Sequence, residues 1–185
     1  RKTGWDLIGV RKADRLINMD SQVTNKVVQE WIEAGRWFKD VKVVRPEVTY
    51  KNSRFDLYVE YEEKKAFIEV KGVTLEEEGV VKFPDAPSER AVKHLKELEA
   101  AVQDGYEAYV FFVVQMKGVR YFTPNRRTHK EFADVLAEAA ENGVQVIAKD
   151  CCVTEDSIAI ADEVPVVLNN PQLYEAPELL VEWYR

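Results

Sequence analysis

Two carboxylates and one ammonium group occur at a spacing that could assemble a metal-dependent catalytic site. Asp56 is followed, after twelve residues, by Glu69, and Lys71 stands two residues further on. Both carboxylates lie in segments where polar and apolar residues alternate, a pattern typical of β-strands. Carboxylate oxygens are ligands that Mg²⁺ prefers, and a lysine beside them can stabilise an attacking hydroxide or a phosphate. The spacing therefore permits metal-assisted phosphate chemistry.

The two segments are predicted to form a hairpin over strands 53–60 and 65–71, with a polar turn between them. Folding the chain about that turn places Asp56 opposite either Glu69 or Lys71. A slip of one residue would exchange the faces of the sheet, so the register decides whether the charges meet. On each strand the alternating apolar residues are expected to share one face: Phe55, Leu57 and Val59, and Ala66, Ile68 and Val70.

A purely structural interpretation of these charges is also open. Charged residues on the open face of a hairpin are commonly solvated. A cross-strand pair of opposite charges contributes only ~0.2–1 kcal/mol and requires no metal. Because 32% of the chain is charged, the spacing also arises by chance. Spacing alone does not decide between the two interpretations.

Composition narrows the class of protein. The chain has 185 residues, enough for one domain with a substantial core, and it begins with Arg1 rather than Met, so we expect a longer parent protein. A net charge of −7 argues against a general polyanion binder, although local basic clusters could still grip nucleic acid. No apolar run approaches the length of a membrane span. Cys151 and Cys152 are adjacent, which is a poor disulfide framework and favours a reducing cytoplasm.

Hydrophobic periodicity predicts a mixed α/β sheet with helices on both faces. Ser88 suits a helix N-cap, and the continuous apolar run 108–114 is typical of a strand buried on both sides. Residues 72–87 are predicted to form a long loop, and a C-terminal tail follows residue 168. The predicted strands are 3–10, 41–50, 53–60, 65–71, 108–114 and 144–149, and the predicted helices are 21–34, 88–105 and 128–142.

The predicted arrangement, with Asp56 and Glu69-Val70-Lys71 on adjacent strands, resembles the PD-(D/E)xK, or restriction-endonuclease-like, core. Over nearly the whole chain, longer motifs resemble the sugar fermentation stimulation protein family, SfsA. The segments that carry this resemblance are Trp5, Asn25 with Val28 and Glu30, Ala34-Gly35, Ser53-Arg54-Phe55-Asp56, Glu69 to Leu75, Phe83 to Ser88, Lys93 to Leu98, Val113-Val114-Gln115 and Phe122-Thr123-Pro124.

The resemblance implies a DNA-binding protein linked to the regulation of sugar utilisation, maltose included. It implies an OB-like N-terminal domain followed by a nuclease-like domain, with most of the OB-like domain absent from this sequence. Residues 1–15 would be its remnant or a linker, residues 16–168 the nuclease-like α/β domain, and residues 169–185 a C-terminal extension. The implied partner is DNA, and the oligomeric state stays open, a homodimer included.

The resemblance also implies roles for individual residues of this sequence, matched by position. Asp56 and Glu69 would bind Mg²⁺ or Mn²⁺, and Lys71 would stabilise charge. Glu30 would be the helix glutamate that many such nucleases add, and Gln115 a polar partner at a strand end. Alternatively, Glu30 is a surface residue of an amphipathic helix, and Gln115 satisfies a buried backbone group.

Substrate-binding candidates lie outside this group. Asp85, Arg90 and His94 fall in and after the loop that follows the second carboxylate, and Arg126 and Arg127 belong to a basic cluster. Asp85 could instead cap a turn and pair with Arg90, and a basic loop is often merely solvated.

Three functions are compatible with these residues. The first is a Mg²⁺-dependent phosphodiesterase acting on DNA, and the second is a non-catalytic DNA-binding regulator that keeps a nuclease fold. The third is a protein-interaction module, suggested by the net negative charge. Metal-dependent cleavage, metal-independent binding and absence of nucleic-acid binding would distinguish them.

Overall fold

The computed structural model describes residues 7–169, in which strands outnumber helices. The helices are α1 (Val23–Glu33), α2 (Glu89–Gln103) and α3 (Lys130–Glu141). The strands are β1 (Gly9–Lys12), β2 (Arg15–Asn18), β3 (Val41–Tyr50), β4 (Ser53–Tyr61), β5 (Lys64–Val73), β6 (Leu75–Glu77), β7 (Val80–Phe83), β8 (Glu107–Val114), β9 (Tyr121–Pro124), β10 (Gln145–Val153) and β11 (Ile158–Glu163).

A six-stranded mixed sheet, in the order β11-β10-β8-β5-β4-β3, forms the centre of the fold. β3, β4 and β5 are an antiparallel meander, β5, β8 and β10 run parallel, and β11 returns antiparallel to β10. The prediction of a mixed α/β sheet is therefore confirmed. β1 and β2 form a separate hairpin, and β6, β7 and β9 form a small three-stranded sheet. No helix within residues 7–169 is long and apolar enough to cross a membrane.

The central sheet is covered on both faces. α2 and α3 pack on one face, and α1 packs on the other. β8 is buried on both sides, as predicted, because its alternate residues enter the two layers and each buried side chain contributes ~1.5–3 kcal/mol. Val110, Phe112 and Val114 contact the α2–α3 layer, while Tyr109, Phe111 and Val113 contact the α1 layer.

Several sequence predictions need correction. The expected loop 72–87 contains β6 and β7, and neither β9 nor β11 was predicted. β7 pairs in parallel with β9, which lies about forty residues later, and local periodicity does not reveal such distant pairing. The predicted strand 3–10 lies partly outside the described residues. Within them, β1 begins only at Gly9. Almost all of the expected C-terminal extension, residues 170–185, also lies outside them.

The prediction that the apolar residues of β4 share one face is also wrong. Phe55 packs against Phe67 in the α2–α3 layer, with ring centroids 5.2 Å apart, whereas Leu57 packs in the α1 layer. Opposite this step, Glu47 of β3 has a left-handed φ of 54°. The strand pair therefore changes face at Asp56, and an alternating pattern alone cannot show such a backbone irregularity.

Candidate functional site

Asp56 lies where the backbone pairing of β4 and β5 stops. The antiparallel register ends at the pair Leu57–Ile68, and its continuation would place Asp56 level with Glu69, one of the two expected partners. Instead of a backbone carbonyl, Asp56 Oδ2 accepts the N–H of Val70 at 2.8 Å. The Asp56 carboxylate thus takes the place of a backbone carbonyl acceptor of β4, and the pairing of the two strands ends there.

Asn25 of α1 holds the other oxygen of this carboxylate. Its Nδ2 donates to Asp56 Oδ1 at 2.9 Å. Asn25 lies three and seven residues before Val28 and Ile32, both fully buried, so it shares their helical face. Its role was missed from sequence, although an amide at the end of an apolar stripe was a usable signal.

Glu69 is 2% exposed, and its two oxygens have different surroundings. Oε1 accepts from Lys71 Nζ at 2.5 Å and makes a short contact with His94 Nδ1. Oε2 is buried and has no hydrogen-bond partner among the described residues. Because a buried carboxylate oxygen without a partner is costly, this atom fits a further ligand, and a divalent cation suits its chemistry.

The two carboxylates shift in opposite directions. Burial raises the pKa of Asp56, and the charge of Glu69 raises it further, against the Val70 N–H, Lys71 and Asn25. Burial would also raise the pKa of Glu69, but the hydrogen bond from His94 and the charge of Lys71 lower it below its usual value. Glu69 is therefore an anion at neutral pH, and it opposes the ionisation of its neighbour. A cation bound by both groups would relieve that conflict.

The structure does not bring Glu30 to these groups. Glu30 is 61% exposed at its side chain, forms an ion pair of 3.8 Å with Lys26, and lines another cavity beside the β10–β11 loop. Of the α1 side chains in the described contacts, Asn25 is the one that reaches Asp56.

Gln115 lies at the end of β8 and is 2% exposed. Its Nε2 donates to the carbonyl oxygens of Asn18 at 3.1 Å and Asp20 at 3.0 Å, and to Asn18 Oδ1 at 2.9 Å. A Cβ at Gly72 would lie 2.4 Å from Gln115 Oε1, so glycine permits this close approach. Gln115 thus ties the segment between β2 and α1 to the central sheet.

The predicted substrate residues are dispersed. His94 of α2 is 5% exposed and contacts Glu69, while Arg90 is exposed one turn earlier on the same helix. Asp85 is exposed and has no hydrogen bond or ion pair with the described residues. Arg126 is held by Asp134. Arg127 is exposed and lowers the pKa of Glu77, for which the Lys82 ammonium is the largest cause.

A second cluster, formed by Glu89, His129 and Glu131, has ligand atoms within 4.8 Å of one another. His129 Nδ1 accepts the N–H of Ser88 at 3.2 Å. A neutral ring then carries its proton on Nε2, the atom that lies 3.5 Å from Glu89 Oε1. Since neither ring nitrogen has a free lone pair, this cluster is a poor metal site.

Comparison with known proteins places the chain in a family. The model of the sugar fermentation stimulation protein RE domain matches residues 22–157. The chain belongs to the SfsA family. That span includes Asp56, Glu69, Lys71 and His94, together with Asn25, so the whole cluster lies within the SfsA domain.

Curated SfsA relatives match most of the chain. A sugar fermentation stimulation protein homolog from Clostridium beijerinckii is 64% identical over 168 residues, covering 91% of this chain and 74% of the relative. One from Desulfitobacterium hafniense is 60% identical over 168 residues, covering 91% and 73%. A solved structure of Pyrococcus furiosus SfsA in complex with Ca²⁺ has a TM-score of 0.81 and 26% identity, covering 90% of this chain and 75% of that one.

Proposed function

We propose that this chain is a Mg²⁺- or Mn²⁺-dependent phosphodiesterase acting on DNA. One observation carries the proposal: the buried, unpartnered Oε2 of Glu69 lies beside a second carboxylate, Asp56, whose pKa is raised. The description of Pyrococcus furiosus SfsA as a Ca²⁺ complex supports a divalent-cation site, because Ca²⁺ and Mg²⁺ both prefer oxygen ligands.

The residues divide the chemical tasks among them. A cation held by Asp56 and Glu69 would polarise a phosphodiester and activate water near neutral pH. Asn25 and the Val70 N–H fix the orientation of Asp56. His94 and Lys71 fix Oε1 of Glu69, which leaves Oε2 for the cation. The Lys71 side chain is 17% exposed, so its ammonium can also stabilise charge that develops on the phosphate.

A divalent-metal titration combined with a cleavage assay tests this proposal. Labelled single- and double-stranded DNA is incubated with the wild-type chain and with Asp56→Asn, in EDTA, Mg²⁺ or Mn²⁺. We expect cleavage by the wild type in either metal, none in EDTA, and none by Asp56→Asn. If the wild type cuts neither substrate in either metal, the catalytic proposal fails.

A non-catalytic DNA-binding regulator is the second candidate. The observation that favours it is the 2.5 Å ion pair between Lys71 and Glu69, which neutralises both groups without any metal. In this case DNA binds in EDTA as well as in Mg²⁺, and no product forms. Under either function, a link to sugar utilisation rests on the names of the curated relatives.

A further inference from the structure

A cavity of about 440 Å³ lies between the start of β4 and the first turns of α2. It adjoins the candidate metal site through His94, which lines the cavity while its Nδ1 contacts Glu69. The lining residues are Asn52, Ser53, Arg54, Glu89, Arg90, Lys93 and His94.

Three cations line this cavity, against one carboxylate. Arg90 makes no hydrogen bond or ion pair with the described residues, and its guanidinium is therefore available. Arg54 is 59% exposed and has only a loose contact of 3.6 Å with Glu47. Lys93 Nζ donates to the carbonyl oxygen of Asn52 at 2.9 Å and has a loose contact of 3.7 Å with Glu97, which does not line the cavity. In a chain of net charge −7, such a local excess of positive charge favours an anionic ligand.

Neutral donors add to this charge. Ser53 lines the cavity, is 5% exposed, and its buried hydroxyl has no hydrogen-bond partner among the described residues. The cavity also lies at the N-terminal end of α2, where Ser88 is the N-cap and the helix dipole favours negative charge. Guanidinium groups, a hydroxyl and a helix N-terminus together are donors suited to phosphate oxygens.

We propose that this cavity binds a phosphate of the nucleic-acid strand whose adjacent phosphodiester lies at Asp56 and Glu69. The inference rests on the proposed action on DNA and adds a second phosphate subsite to it. His94 separates the two positions, so one strand can contact both. The bound group is either the terminal phosphate or an internal phosphodiester, since both present anionic non-bridging oxygens to these donors.

Fluorescence anisotropy of a labelled single-stranded 12-mer, with and without a 5′-phosphate, tests the subsite in Ca²⁺ and in EDTA. The test variant is Arg90→Ala/Lys93→Ala. The matched control is Lys96→Ala, because Lys96 lies on the same helix and is 57% exposed but does not line the cavity. A thermal shift with Mn²⁺ alone verifies that each variant is folded and keeps its metal site.

We expect the double variant to bind the oligonucleotide at least ~10-fold more weakly. Its dependence of log affinity on log salt should be shallower by about 0.7, because the cavity binds one phosphate and each lost phosphate contact on a single strand contributes roughly 0.7. A loss confined to the 5′-phosphorylated 12-mer assigns the terminal phosphate to the cavity, and an equal loss with both assigns an internal one. Binding equal to that of wild type would overturn the subsite alone. A wild type that binds neither oligonucleotide would overturn both the subsite and the action on DNA.

Discussion

Replacing Asp56 with asparagine should separate metal binding from folding. In the wild type, each oxygen of this carboxylate accepts one hydrogen bond, from Asn25 and from the Val70 N–H. An asparagine offers only one acceptor, so one of the two donors would face an amide NH₂. We therefore expect the variant to lose both the metal and part of its metal-free stability.

The magnitudes follow from these contacts. Leaving one buried donor unsatisfied costs ~1–3 kcal/mol. Because burial and the charge of Glu69 raise the pKa of Asp56, removing its charge also relieves repulsion, which places the net loss near the lower end. A loss of about 1 kcal/mol lowers the Tm of a chain of this size by about 2–4 °C. By contrast, Mn²⁺ at 100 times its Kd stabilises the wild type by ~2.7 kcal/mol, or about 5–11 °C.

Differential scanning fluorimetry with and without Mn²⁺ measures both effects. The exchanged pair Asn25→Asp/Asp56→Asn is the control, because an amide at position 56 can donate to a carboxylate at position 25 and still accept from Val70. We expect the exchange to recover the metal-free Tm without recovering the Mn²⁺ shift. A Mn²⁺ shift in Asp56→Asn equal to that of wild type would show that this carboxylate is not a ligand.

Three further predictions concern neighbouring residues. Lys71→Met should bind Mn²⁺ at least as well as wild type in calorimetry but cut DNA at least ~100-fold more slowly. If the variant cuts DNA at the wild-type rate, Lys71 takes no part in the mechanism. Glu69 has a lowered pKa in the folded state, so its stabilising contribution is present above its usual pKa and is lost as pH falls through the lowered value. In urea unfolding, the difference in free energy of unfolding between wild type and Glu69→Gln should therefore shrink in acid. A difference that stays constant with pH would contradict this. Gly72→Ala should destabilise the fold by ~1–3 kcal/mol by displacing Gln115, whereas Gly9→Ala, which has no contact closer than 3.7 Å, should cost far less, and equal midpoints in urea would refute the close approach.

The residues that meet across β4 and β5 were predictable because local patterns carry the information. Alternation located both strands, and the turn length limited the register to two choices that both paired Asp56 with a charged residue. The apolar run of β8 likewise predicted a strand that is buried on both faces of the sheet. These features depend on short-range periodicity and on the burial that it implies.

Other parts of the site depend on distant contacts. The end of an apolar stripe marks Asn25 as unusual, but nothing in the sequence indicates that it meets a carboxylate 31 residues later. The change of face at Asp56 lies opposite the left-handed backbone of Glu47, which the alternating pattern does not reveal. Glu30 had the residue type that the chemistry requires, but it is exposed on α1 and lines another cavity. The cavity at Arg90 and Lys93 forms only when the N-terminal end of α2 meets the start of β4.

The position of Asp56 in the β4–β5 ladder also bears on how the family can be interpreted. The same carboxylate that would bind a cation closes a backbone hydrogen bond of the sheet and holds α1 in place. A descendant that lost the chemistry would therefore still be under selection to keep an aspartate here, merely to fold. Retention of this residue among relatives would be poor grounds for inferring catalysis. Retention of Lys71 would be equally ambiguous, because its ion pair with the buried Glu69 also stabilises the fold.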